Sequence, residues 1–190
     1  MMDATVVREG LNRLARLAEA TAGQAEAIVR LAERYQATLT GGGTLFFAGN
    51  GGSAATAQHV AAEYVVRYRR PGRGLPAIAL TADTALLTAA GNDLGFEQVF
   101  ARQVEALCRS GDLLVLHSTS GESPNLLAAA AVARHRGIGV VAHLGRDGGR
   151  LRTMVDLAVV IGSDETSLIQ EVHLAVEHAI VGMIEEGGMR

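Results

Sequence analysis

The chain has 190 residues, 48% of them hydrophobic, a net charge of −3 and one cysteine. That length suits one domain with a substantial core, and the apolar content excludes a disordered chain. The charge gives no electrostatic footprint for nucleic acid, and a lone Cys108 excludes a disulfide framework.

Met1-Met2-Asp3-Ala4 shows neither a basic start nor a long apolar run, and no stretch approaches the roughly 20 apolar residues of a membrane span. A soluble cytoplasmic protein with no membrane partner is expected. Residues 3–40 read as two helices separated near Gly23, with apolar stripes at Val7, Leu11, Leu14 and Ala18, then at Ile28, Leu31, Ala32, Tyr35 and Leu39. After Gly41-Gly42-Gly43 the period changes. Short apolar runs follow at Leu45–Ala48, Ala77–Leu80, Leu113–Leu116, Gly139–Leu144 and Leu157–Ile161. None alternates cleanly, as expected of strands buried on both faces of a parallel sheet. Helical patterns fall between them near 53–66, 84–90, 96–108, 123–135 and 147–154, and a final helix runs from about 164 to 186.

This alternation predicts a single α/β domain over 1–190, a three-layer sandwich around a parallel, doubly wound sheet. Residues 41–190 form its core. The helical hairpin of residues 1–40 is expected to stand outside the sheet, its stripes suited to another subunit.

Ligands in such folds bind beyond the carboxyl ends of the strands. The first strand ends in Gly49-Asn50-Gly51-Gly52-Ser53, where glycines admit a close ligand, free helix amides favour an anion and Ser53 can cap the helix. A tight turn explains the same loop. The third strand runs into Ser118-Thr119-Ser120-Gly121-Glu122-Ser123-Pro124, with four hydroxyls before a helix that Pro124 can open. That is a phosphate cradle built without lysine, from which Glu122 should turn away. The chain has no lysine at all, which excludes a protein Schiff base, a pyridoxal-phosphate anchor and a Walker-type lysine. Asn92 and Asp93 follow a short helix and suit sugar hydroxyls or a capped turn. Arg67 leads an arginine cluster close to the next candidates.

Those candidates are His59 and Glu63, one helical turn apart, and Gln170 and His178, two turns apart and within about 80° of each other. Two imidazoles, a carboxylate and an amide can ligate a divalent metal or move a proton beside a carbonyl. A His–Glu pair at this spacing also suits a plain surface pair. His173 falls on the apolar face of the last helix and reads as packed; His135 and His143 show no partners and read as structural.

Together these segments resemble the sugar isomerase (SIS) domain family, and within it the phosphoheptose (sedoheptulose-7-phosphate) isomerases. The resemblance rests on Gly49–Ala55, Gln58–Glu63, Leu75–Leu80, Gly91–Phe96, Ser118–Gly121 and Ile169–His173. It implies a five-stranded parallel sheet and a homotetramer with active sites at subunit contacts. It implies a zinc ion on His59, Glu63, Gln170 and His178, with Glu63 and His178 also the acid–base pair. Substrate contacts carry over to Asn50, Ser53, Arg67, Asp93, Ser118, Thr119, Ser120 and Ser123, with Gly51, Gly52, Asn92 and Gln170 beside them. The implied activity interconverts a ketose and an aldose phosphate, sedoheptulose 7-phosphate and a heptose 7-phosphate, through an enediol. Glu122 and Ser167-Leu168 depart from the family pattern near the sugar. That keeps open another ketose phosphate, such as octulose 8-phosphate. A non-catalytic relative of the same fold binds a replication initiator but lacks the carboxylate at the position of Glu63.

Overall fold

A computed structural model describes residues 2–189. Helices α1 (Ala4–Ala22) and α2 (Ala25–Thr40) lead into β1 (Leu45–Gly49) and α3 (Gly52–Val65). They are followed by β2 (Ala77–Ala79), α4 (Thr84–Asp93), α5 (Ala101–Leu107) and β3 (Leu113–Ser118). Next come α6 (Pro124–His135), β4 (Gly139–Gly145), β5 (Leu157–Ile161) and the long α7 (Thr166–Glu186). The five strands are all parallel in the order β2-β1-β3-β4-β5. Strands β1 and β3 are buried along their whole length, which is why their apolar runs do not alternate.

Two buried clusters flank the sheet. On one face Phe47, Val115 and Val141 pack under Leu31, Tyr35, Val60, Tyr64, Val176 and Ile180 of α2, α3 and α7. On the other, Phe46, Leu114 and Val140 pack against Ala90, Val104, Leu126 and Ala130 of α4, α5 and α6. Chain order reverses between β1 and β3, so their following loops diverge and leave a crevice at the carboxyl edge. No helix of the described residues is long and apolar enough to cross a membrane.

Three expectations need correction. Helix α2 belongs to the core rather than standing outside it, because Leu31 and Tyr35 have no exposed surface. Of the hairpin, α1 keeps an open apolar side at Val6, Val7 and Leu11. The helix read over 96–108 is a 3₁₀ turn at Phe96–Gln98 followed by α5, a break that lets the consecutive Val99 and Phe100 both reach the core. The helix read over 147–154 shrinks to a 3₁₀ turn at Arg150–Thr153, since Gly148 and Gly149 both take positive φ.

Candidate active site

The loop after β1 depends on its glycines. A Cβ on Gly49 would press into the Ser53 backbone, and one on Gly52 would collide with the Gln170 carboxamide. The close approach of Gly52 therefore lets α7 set Gln170 against the first turn of α3. Gly51, at φ 57°, is the N-cap of α3. This corrects the capping role expected of Ser53, which lies inside the helix, buried, its amide donating to the Asn50 carbonyl.

Across the crevice, Asn50 and Asn125 exchange two side-chain hydrogen bonds of 2.9 and 2.8 Å. The pair ties the β1 loop to the start of α6. Asn125 escaped the sequence reading because an asparagine two residues into a helix carries no spacing signal.

In the second loop Ser118 accepts from the Gly121 amide and Ser120 from the Glu122 amide, so both hydroxyls shape the turn. Ser123 is the N-cap of α6 with Pro124 at its first turn, but its hydroxyl makes no capping bond and stays available. Glu122 turns to Arg150, taking its Nε–H at 2.6 Å and its backbone amide at 2.7 Å. Those hydrogen bonds hold its carboxyl below the usual range and keep it occupied outside the hydroxyl cradle.

Helices α3 and α7 bring His59, Glu63 and His178 together. The two Nε2 atoms lie 3.1 Å apart, and His59 Nε2 lies 3.4 Å from Glu63 Oε1. The side chain of His59 is 48% exposed and that of Glu63 19%, so the cluster opens to solvent. Tyr68 stacks on His178 with ring centroids 5.3 Å apart and 16° between planes. It is placed by Glu185 near the end of α7, whose buried carboxylate accepts the amides of Tyr68, Arg69 and Arg70. The segment after α3 that carries exposed Arg67 is thus fastened to α7. Asn92 and Asp93 lie in the last turn of α4 and hydrogen-bond each other at 2.7 Å.

A second polar cluster, unseen in the sequence reading, lies under α7. Register pairs Gly49 with His117 and His117 with His143, so both imidazoles stand in one row at the carboxyl end of the sheet. His117 and His143 each place Nε2 2.9 Å from Glu177 Oε1, and the Tyr35 hydroxyl donates to the same oxygen at 3.0 Å. His143, expected to lack partners, is therefore tightly engaged. Burial alone would raise the Glu177 carboxyl, but His143 and the bonds from His117 and His143 outweigh it and hold it below the usual carboxylate range. Burial pushes the His117 imidazole below its usual value, against the pull of Glu177. Burial, with His143 and His117 close by, pushes His173 down to about 3. Packed as expected, His173 faces the Leu144 carbonyl at 3.1 Å.

The model of the SIS domain family matches residues 11–145. The chain belongs to that family. A phosphoheptose isomerase of Roseiflexus sp. is 52% identical to this SIS domain over 162 residues, 85% of this chain and 82% of the relative. The solved phosphoheptose isomerase GmhA of Neisseria gonorrhoeae superposes with a TM-score of 0.91 at 40% identity, covering 96% of this chain and 98% of that one. That of Francisella tularensis gives 0.93 at 34% identity, covering 98% and 100%.

Proposed function

We propose that this phosphosugar isomerase converts sedoheptulose 7-phosphate to a heptose 7-phosphate through an enediol. The single observation that carries the reading is the convergence of His59, Glu63 and His178 beside two amide- and hydroxyl-rich loops at the sheet's switch point. The likeness to phosphoheptose isomerases over nearly the whole chain supports the same substrate.

The donor set of the outer cluster fits a divalent metal. Two imidazole nitrogens 3.1 Å apart with a carboxylate oxygen at 3.4 Å match the spacing of ligands around a zinc-sized ion, and the solvent side leaves a position for substrate. His59, Glu63 and His178 would hold zinc, with Gln170 completing the shell from its seat against Gly52. Bound there, the ion would polarise the sugar carbonyl and stabilise negative charge developing on its oxygen.

The remaining chemistry belongs to the chain. Thr119 and Ser123, with the α6 amides, receive the phosphate, and Ser118 and Ser120 hold the loop in shape. Asn50 stays locked to Asn125, so the Gly51 and Gly52 backbone fronts the substrate, while Asp93, Asn92 and Arg67 reach its hydroxyls and outer oxygens. One of Glu63 and His178 removes the proton from the carbon beside the carbonyl. The other protonates the carbonyl oxygen to give the enediol, then takes the proton of the second hydroxyl as the first group returns a proton to the neighbouring carbon and the new carbonyl forms. Tyr68 stacked on His178 fixes the plane in which that imidazole acts.

The open outer cluster and the apolar side of α1 support a homotetramer with active sites completed at subunit contacts. We place the reaction in the cytoplasm, with neither nucleic acid nor membrane as partner. The test is incubation of the purified protein with ketose phosphates of five to eight carbons, with and without chelator, following aldose formation. Preference for the seven-carbon ketose, abolished by chelation, supports the reading. Preference for another chain length corrects the substrate, and no turnover of any of them overturns the enzyme.

A further inference from the structure

The cluster under α7 repeats the composition of the outer one, two histidines and a glutamate, with no exposed surface on any of the three. Its donors are as closely gathered. Glu177 Oε1 lies 2.9 Å from both Nε2 atoms and 3.0 Å from the Tyr35 hydroxyl, which is itself 3.1 Å from His143 Nε2. The two imidazole planes differ by 12° with centroids 4.9 Å apart, so neighbouring strands present both nitrogens to one point.

We propose that His117, His143 and Glu177 hold a second, structural divalent cation of the zinc class, with the Tyr35 oxygen in the fourth position. It is a separate claim from the isomerase reading and needs no substrate.

The donor set carries the argument. No arginine pairs with Glu177 among the described residues and the chain has no lysine, so the buried carboxylate is met only by the two imidazoles and the Tyr35 hydroxyl, whose donor atoms converge on one point. A divalent cation would match the buried carboxylate and take the two Nε2 lone pairs, leaving the proton of each neutral imidazole on Nδ1, which has no hydrogen-bond partner among the described residues. Glu177 Oε2, also without a partner, is available to the same ion. Four protein donors in a closed, dry shell are the mark of a structural site, whereas a catalytic site keeps a position open. The site ties α2, β3, β4 and α7 at one point under the active-site edge.

The full chain, loaded with Zn²⁺ or Co²⁺ and exchanged into metal-free buffer, is assayed for metal per chain by mass spectrometry. The wild type is expected to hold two equivalents. The outer variant His59→Ala/Glu63→Gln should keep one, resistant to brief EDTA treatment and, as cobalt, showing the visible bands of a tetrahedral site. The inner variant His143→Leu/Glu177→Leu should lose that resistant equivalent and keep the outer one. Should the inner variant fail to fold, the outer variant decides alone. One EDTA-resistant equivalent in it upholds the inner site. None overturns the proposal and leaves the cluster a hydrogen-bonded carboxylate. Loss of isomerase activity in the outer variant bears only on the outer site, so the two readings fail separately.

Discussion

The two clusters of two histidines and one glutamate sit on different faces of the same helix and differ in access to water rather than in composition. The outer set includes a His59 side chain that is 48% exposed, while His117, His143 and Glu177 are wholly buried. Glu177 and His178 are consecutive residues of α7, turned about 100° apart by the helix. One is sent down to the sheet and the other into the cleft. On the two proposals the same donors would serve different ends: an open position for a substrate outside, a closed anchor inside.

That contrast breaks first on chemistry. Glu63→Gln or His178→Gln should cost on the order of 10²-fold or more in turnover, with the thermal melt little changed because neither side chain supports the core. Full activity in Glu63→Gln would remove it as acid or base and move the chain toward the non-catalytic branch of the family. The inner cluster should answer the other way. His143→Leu leaves a buried carboxylate short of a partner and should cost about 3–5 kcal/mol, a fall on the order of 10 °C in Tm. A melt matching the wild type would show that the inner cluster anchors nothing.

Chelation sharpens the comparison by rate. Brief EDTA treatment should abolish turnover reversibly and leave the melt in place, whereas unfolding in chelator should block refolding until Zn²⁺ is restored. Refolding of equal yield without added metal would count against a structural ion. A smaller effect is expected at the loop tie. Asn125→Ala removes both bonds to Asn50 and should raise KM about five-fold for roughly 1 kcal/mol lost, with kcat nearly unchanged. A fall confined to kcat would move the pair from holding the phosphate loops to the chemistry. The mildest probe is Cys108, whose thiol burial pushes up to about 12. In the folded protein it should resist alkylation at pH 8, and labelling that rises when the inner cluster is broken would report opening of the core.

The central strands β1, β3 and β4 were legible because each apolar run is short and buried on both faces, while the edge strands β2 and β5 keep the same short apolar runs with part of their surface open, Ile78 among them. The outer site was legible because His59 and Glu63 share one helix face and Gln170 and His178 nearly share another. The helix expected over 147–154 does not form because Gly148 and Gly149 both take positive φ, which no helical pattern in the residue types announces. The inner cluster was invisible for a different reason. His117 and His143 lie in separate strands and become neighbours only once β3 and β4 are in register. Glu177 was overshadowed by His178, although a charged residue between Val176 and Ile180 on an apolar helix face is itself a sign of a buried partner.

Helix α7 is the last element of the described chain, and it supplies Gln170, Glu177, His178 and Glu185 at once. During synthesis, every other wall of the active site emerges from the ribosome before any of these groups exists. Until then the imidazoles of His117 and His143 face no carboxylate, and the apolar row of Phe47, Val115 and Val141 lacks its cover. The nascent chain therefore cannot hold either cluster early. Assembly of the candidate site and closure of the core thereby become one late event.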